Sequence, residues 1–263
     1  MALIAVPARY ASSRYPGKPL VELTGATGVK MSLIERSWRA AKDVSGDHRV
    51  VVATDDDQIA DAAHGFGAEV VMTSEHCRNG TERCAEVAAR LSFDGVVVNL
   101  QGDAPLTPPW FVEALIEAME TSDCKVATPV LRCDAAALNG FLEDRANDRV
   151  GGTTAVFTAS GRALYFSKEV IPYTGRRFAD GETCPVFHHV GVYAYRTQEL
   201  AFYTGWTEGP LERWEGLEQL RFMENDVDVQ CVEVDARGRM FWELNNPVDV
   251  ARIEDIMRAQ GIA

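Results

Sequence analysis

Apolar residues in this chain follow two rhythms that alternate along its first half. Leu3-Ile4-Ala5-Val6, Val50-Val51-Val52-Ala53 and Val96-Val97-Val98-Asn99-Leu100 are continuous runs, the form of parallel strands covered on both faces. Between and after them, Leu33, Ile34, Trp38 and Ala41, then Cys84, Val87, Ala88 and Leu91, then Val112, Leu115, Ile116 and Met119 recur at helical spacing. A helix is also expected from Gln58 to His64, and short strands over Ala68 to Met72 and Lys125 to Leu131. Such alternation predicts an α/β sheet with helices on its faces.

Beyond Leu131 the pattern changes. Segments around Thr153 to Phe157, Leu164 to Ser167 and Val186 to Arg196 are short, bounded by Gly and partly alternating, which predicts antiparallel additions to the sheet. In the last of these, a period of two puts His189, Gly191, Tyr193 and Tyr195 on one face and His188, Val190, Val192 and Ala194 on the other. Gly191 would leave space on the first face. Leu217 and Leu220 predict a helix through Leu217-Glu218-Gln219-Leu220-Arg221, on which Glu218 and Gln219 read as ordinary solvated positions. A closing helix carries Val250, Ile253 and Met257, with Asn246 as its N-cap and Pro247 in its first position.

Composition narrows the classes. A net charge of −13 over 263 residues argues against a nucleic-acid scaffold, so local basic clusters must serve small anions. No apolar run reaches the length needed to span a bilayer, and the start lacks the regions of a secretory signal, which makes the cytoplasm the default expectation. The cysteines Cys77, Cys84, Cys124, Cys133, Cys184 and Cys231 form no C-x-x-C pair and read as buried free thiols.

Chemistry concentrates where strands end. After Val6 comes a loop carrying Arg9, Arg14, Lys18, Ser12, Ser13 and Gly17, and cations set so close would repel one another without an anion between them. It reads as a polyphosphate loop, or else as a solvated basic loop. It is neither a Walker loop, since Pro19 follows Lys18, nor a dinucleotide fingerprint, since no G-x-G-x-x-G occurs. Asp103 lies just past a buried strand, at the crevice where open α/β sheets bind ligands, although it could instead cap the next helix; Pro108 and Pro109 suit that helix start better. The run Asp55-Asp56-Asp57 either caps the following helix or shares in the pocket.

Taken together, these stretches resemble the 3-deoxy-manno-octulosonate (Kdo) cytidylyltransferases. Pro7-Ala8-Arg9-Tyr10, Ser12, Arg14 and Pro16-Gly17-Lys18-Pro19-Leu20 stand where that family has them, as do Gly80-Thr81-Glu82-Arg83, Gln101-Gly102-Asp103, the His189-x-Gly191-x-Tyr193 pattern and Leu217-Glu218-Gln219-Leu220-Arg221. The resemblance implies an α/β, three-layer nucleotidyltransferase with a mixed, mostly parallel sheet and an antiparallel dimerisation and acceptor subregion. A single domain over 1–263 is expected: a nucleotide-binding part to 130, an acceptor and dimerisation part over 131–238, and a metal segment with the C-terminal helix over 239–263. The implied reaction is CTP plus a 2-keto-3-deoxy sugar acid giving the CMP-sugar and pyrophosphate, for lipopolysaccharide or capsule synthesis, in a homodimer.

The same resemblance assigns Arg9, Arg14, Lys18 and Asp103 to catalysis. Pro7, Ala8, Arg9, Lys18, Asn79, Gly80, Thr81 and Arg83 are assigned to the nucleotide, and Arg14, Gln101, His189, Tyr193, Glu218 and Gln219 to the acceptor. Mg²⁺ is expected on Asp103 and Asn245. The chain departs from the family pattern at Asn79 (Ser), Ala104 (Glu), Gly152 (Lys), Lys168 (Arg) and Asn245 (Asp). Those departures leave open a cytidylyltransferase for a different carboxylated acceptor, another nonulosonic or amino-substituted acid, or a CTP-binding sensor without turnover.

Overall fold

The computed structural model describes residues 1–11, 15–150, 152–240 and 242–263. Its first half runs β1 (Leu3–Ala8), the small hairpin β2 (Glu22–Thr24) and β3 (Lys30–Ser32), α1 (Leu33–Lys42), β4 (Arg49–Thr54), α2 (Asp57–Gly65), β5 (Glu69–Met72), α3 (Gly80–Arg90), β6 (Val96–Leu100), α4 (Pro109–Thr121) and β7 (Val126–Arg132). The second half runs α5 (Ala135–Ala146), β8 (Thr153–Phe157), β9 (Ala163–Ser167), β10 (Phe187–His189), β11 (Val192–Arg196), α6 (Thr197–Gly205), α7 (Pro210–Glu215), α8 (Leu220–Glu224), β12 (Val229–Glu233) and α9 (Asp249–Gln260).

One mixed sheet has the order β5-β4-β1-β6-β11-β7-β10-β8-β9, with β12 also paired to β7. Its β5, β4, β1 and β6 are parallel, and β12 is parallel to β7. β11 runs against β6 and β7, and β10, β8 and β9 continue antiparallel, as the change of pattern after Leu131 predicts. Every residue of β1 is buried because both faces are covered. Ile4 and Val6 join Val50, Val52, Ile34, Ile59 and Phe111 on the side of α1, α2 and α4. Leu3 and Ala5 join Val51, Ala53, Cys84, Val87 and Tyr203 on the side of α3 and α6. Helix starts follow the capping rules: Ser32, Asp56, Asn79 and Asp134 accept first-turn N–H groups of α1, α2, α3 and α5. All six cysteines are free thiols, four of them buried.

Three expectations need correction. The strand expected over Val186 to Arg196 is broken after His189, because β10 pairs with β7 and β8 whereas β11 crosses to β6. Buried Thr128 sits in the break, its Oγ1 2.8 Å from the Val192 carbonyl oxygen and 3.2 Å from that of Val190. The interrupted ladder is thereby supplied with a partner. Glu218 and Gln219 are not helical: they form the turn entering α8. Asn246 does not cap α9, which begins at Asp249; instead the Asp249 carboxylate reaches back to accept the N–H groups of Asn245 and Asn246 at 3.0 and 2.6 Å.

Candidate active site

The carboxyl ends of β1 and β6 are neighbours in the sheet, and the chain beyond each is drawn close. Gly102 N–H donates to the Pro7 carbonyl at 3.2 Å, and Ser37 Oγ donates to the Gly102 carbonyl at 2.9 Å. A Cβ on Gly102 would stand 2.5 Å from the Pro7 oxygen, so only glycine permits this approach. Asp103 thus emerges beside the basic loop. That loop folds back through Gly17, whose φ of 69° is left-handed and whose N–H donates to the Tyr10 carbonyl at 3.1 Å. Lys18 begins the next turn, and its Nζ donates to Asp103 Oδ2 at 2.6 Å. With α4 started by Pro108 and Pro109, Asp103 is not a helix cap. Arg9 is exposed just past β1, Pro7 and Ala8 are buried at the end of β1, and Arg14, with Ser12 and Ser13, lies outside the described residues.

Leu244 N–H donates to the Asp103 carbonyl at 2.9 Å, which fastens the segment after β12 to the same edge and sets Asn245 beside Asp103. Trp242 Nε1 donates to Asp249 at 3.0 Å and steadies the segment from the other side. A cavity of about 1820 Å³ opens here, with Asp103, Asn245, Gln101, His189 and Tyr193 among its walls. The five residues come from three separate stretches of the chain. His189 rests against Phe166 and Tyr193, ring centroids 4.9 and 5.6 Å away, with Nε2 2.9 Å from Thr128 Oγ1. Burial lowers its pKa to about 3 and that of His188 to about 4, so both rings are neutral near pH 7. The alternation survives the break in part: Tyr193 and Tyr195 stay in one core and Val190, Val192 and Ala194 in the other. His188, however, also lines the cavity, against Phe141 at 5.1 Å, rather than turning away from it.

The start of α3 is organised differently from the expectation. Asn79 accepts the Glu82 N–H at 2.9 Å and donates to Tyr203 Oη at 2.9 Å, so it is a cap before anything else. Thr81 and Arg83 are buried, the guanidinium committed to Thr73 and to Asp55 at 3.2 Å. These side chains frame the site from behind, and the partly exposed backbone at Gly80 is what they present. The same holds for Asp55 and Asp56: one pairs with Arg83, the other caps α2. Glu218 accepts Thr81 N–H at 3.1 Å and Gln101 Nε2 at 3.3 Å, and burial raises its pKa. Gln219 Oε1 accepts from Tyr193 Oη at 3.0 Å, while its buried Nε2 has no hydrogen-bond partner among the described residues.

Sequence reasoning passed over Glu243, which shares the cavity wall. Its Oε1 lies 3.1 Å from where a Cβ on Gly191 would be. Position two residues before Asn245 in an extended segment was the available signal. Gly152 has no room to spare: a Cβ there would meet Phe141 at 2.7 Å and His188 Nε2 at 3.0 Å. Lys168 lines the same cavity.

A crevice at the carboxyl ends of parallel strands, walled by a Lys–Asp pair and an adjoining polar cavity, defines an α/β nucleotide-handling transferase. A family model described as cytidylyltransferase matches residues 3–229. The 3-deoxy-manno-octulosonate cytidylyltransferase of Maricaulis maris is 43% identical over 98% of both chains. The mitochondrial one of Arabidopsis thaliana is 37% identical over 98% of this chain and 83% of that protein. A solved structure of CMP:2-keto-3-deoxy-manno-octonic acid synthetase complexed with CTP superposes with a TM-score of 0.83 at 33% identity, covering 99% of each chain. The chain belongs to the 3-deoxy-manno-octulosonate cytidylyltransferase family of nucleotidyltransferases.

Proposed function

We propose that the protein activates 3-deoxy-manno-octulosonate with CTP, giving the CMP-sugar and pyrophosphate, as a cytoplasmic step towards lipopolysaccharide or capsule. The observation that carries this reading is the Lys18–Asp103 pair at 2.6 Å on the lip of a cavity that also holds Gln101, His189 and Tyr193. Cation and carboxylate neutralise each other until a triphosphate arrives. Lys18 then turns to the phosphates, together with Arg9 and Arg14, and Asp103 is released.

The acceptor's anomeric hydroxyl attacks the α-phosphorus in line, the bond to the pyrophosphate oxygen breaks, and the hydroxyl proton passes to solvent. Lys18 and Arg9 hold the charge that grows on the leaving pyrophosphate. Neutral His189, with Tyr193 and Gln219, orients the sugar acid by hydrogen bonds rather than by charge. Among the described residues no group of three His, Cys, Asp or Glu side chains could hold a metal ion. Mg²⁺ usually takes only one or two protein oxygens, so Asp103 and the amide oxygen of Asn245 fit it. When bound there, it would offset triphosphate charge. Pyrophosphate release with CTP, Mg²⁺ and a panel of sugar acids tests the reading, and no release with any acid would leave only a CTP sensor.

A second reading has its own support. At the cavity wall Gly152 offers no cation, and Glu243 adds a carboxylate beside Gly191, which favours an acceptor bearing an amino group. Within the panel, turnover with an amino-substituted acid and none with Kdo would select it. Assembly as a homodimer is also proposed. Leu164 of the edge strand β9, with Leu211 and Trp214 of α7, is exposed, Trp214 at 90%. Sedimentation of a single species at monomer mass would refute the dimer.

A further inference from the structure

We infer that Arg252 of α9, stacked on Trp242, is a further binding residue for the outer phosphates of the nucleotide and for the pyrophosphate they become. The inference rests on the cytidylyl-transfer reading above, with Asn245 at the metal. One carboxylate builds the arrangement. Buried Asp249, at the start of α9, accepts the N–H groups of Asn245 and Asn246 on Oδ2 at 3.0 and 2.6 Å, and Trp242 Nε1 on Oδ1 at 3.0 Å. Indole and metal segment are thereby held as one unit. One turn further along α9, the Arg252 guanidinium lies 3.4 Å from the centroid of the Trp242 ring. Arg252, Trp242, Asn245 and Asp103 all line the same cavity.

The charge of Arg252 is not spent within the protein. The carboxylates that follow it on the helix, Glu254 and Asp255, pair with Arg258 instead, and Asp249 is committed to the metal segment. Of the other cations on the cavity wall, Arg132 and Arg149 are paired with Glu233 and Asp144, Lys168 follows β9, and Arg239 leans on Trp110 of α4. A stacked guanidinium uses only its planar face. Its edge keeps N–H donors in the fork that matches a phosphate, and the stack fixes the side chain before the ligand arrives, which lowers the entropic cost of binding. Packing puts it on the phosphate side of the site. Trp242 and Tyr15 of the basic loop rest on one apolar cluster, that of Leu33, Leu244 and Ile253, whereas Tyr193, on the acceptor side, belongs with Phe166 to another.

Calorimetric titration of the full chain with CTP, with CMP and with pyrophosphate, each with Mg²⁺ and no acceptor, tests this. Arg252→Ala should weaken CTP and pyrophosphate about tenfold and leave CMP, which lacks the outer phosphates, unchanged. Arg252→Lys keeps the charge without the fork or the stack and should lose about threefold. Trp242→Leu should also lose about threefold, and nothing further when added to Arg252→Ala. Thermal midpoints show whether each variant folds; Arg252 is exposed, so its two variants carry the comparison if Trp242→Leu fails to fold. Unchanged CTP affinity in Arg252→Ala overturns the inference, as does an equal loss for CMP, or a raised acceptor KM in that variant with CTP binding intact. A wild-type chain that binds neither CTP nor pyrophosphate would refute the function proposed above and this inference with it.

Discussion

Lys18 and Asp103 lie far apart in the chain and meet because β1 and β6 are adjacent parallel strands whose ends the glycine at 102 lets approach. If that pair is the charge-handling centre, Lys18→Ala removes one preorganised donor and the turnover number should fall about a hundredfold or more. Steady-state pyrophosphate release checks it, and an unchanged rate would return the loop to a solvated surface. Asn245, held near Asp103 through the Leu244 amide, gives a second test at this scale. Asn245→Asp adds a formal charge, so activity should persist with a lower half-maximal Mg²⁺ concentration, whereas Asp103→Ala should abolish turnover. A Mg²⁺ titration of rate in which Asn245→Asp and Asn245→Ala both match wild type would exclude Asn245 as a ligand. Asp103 was legible in the sequence because a carboxylate past a buried run has few structural uses. The partners of Arg83 and Glu218 were not, since both are chosen by packing between elements distant in the chain.

Among the elements, α3 and the segment from α7 to α8 behave as one unit. Arg221 is buried, forks onto Glu212 with both bonds at 2.6 Å, donates to Glu82 of α3 at 3.0 Å, and lies 4.2 Å over the Tyr203 ring. Arg221→Leu would strand the buried Glu212 carboxylate and remove one of the partners of Glu82, which keeps Arg78, and urea denaturation should show a loss of about 3–5 kcal/mol. A loss within experimental error would mean that water already screens the cluster. The unbroken runs of β1, β4 and β6 were readable because a doubly covered strand has no polar face to confuse the pattern. α5 was not: its buried positions are Ala135 and Leu138 only, and the Asp134 cap marks its start more plainly than any stripe. The break after His189 was equally hidden, since Thr128, which supplies the hydrogen bonds there, is remote in sequence.

For the whole molecule, two apolar layers clasp one sheet and leave its carboxyl edge for chemistry, which reconciles a basic loop with a net charge of −13. Neutral buried histidines set an acid limit. The unfolded chain binds protons below about 6.5 while folded His188 and His189 resist them down to about 4 and about 3. Stability is therefore undiminished above pH 6.5 and falls as the pH drops through that window. The carboxylates with lowered pKa, such as Glu86 and Glu113, act only below their ordinary value of 4.5. Thermal midpoints should decline between pH 6.5 and 4.5 in wild type and about half as steeply in His189→Gln, where His188 still resists protonation; a flat wild-type profile would mean that the rings are solvated.

The central claim is cytidylyl transfer to a sugar acid, and phosphorus NMR of the reaction tests it most directly. With CTP, Mg²⁺ and 3-deoxy-manno-octulosonate, the three resonances of CTP should give way to pyrophosphate and a single phosphodiester resonance. That phosphodiester should not form when the acid is omitted. Hydrolysis of CTP to CDP or CMP without a phosphodiester, with every acid supplied, would contradict the account.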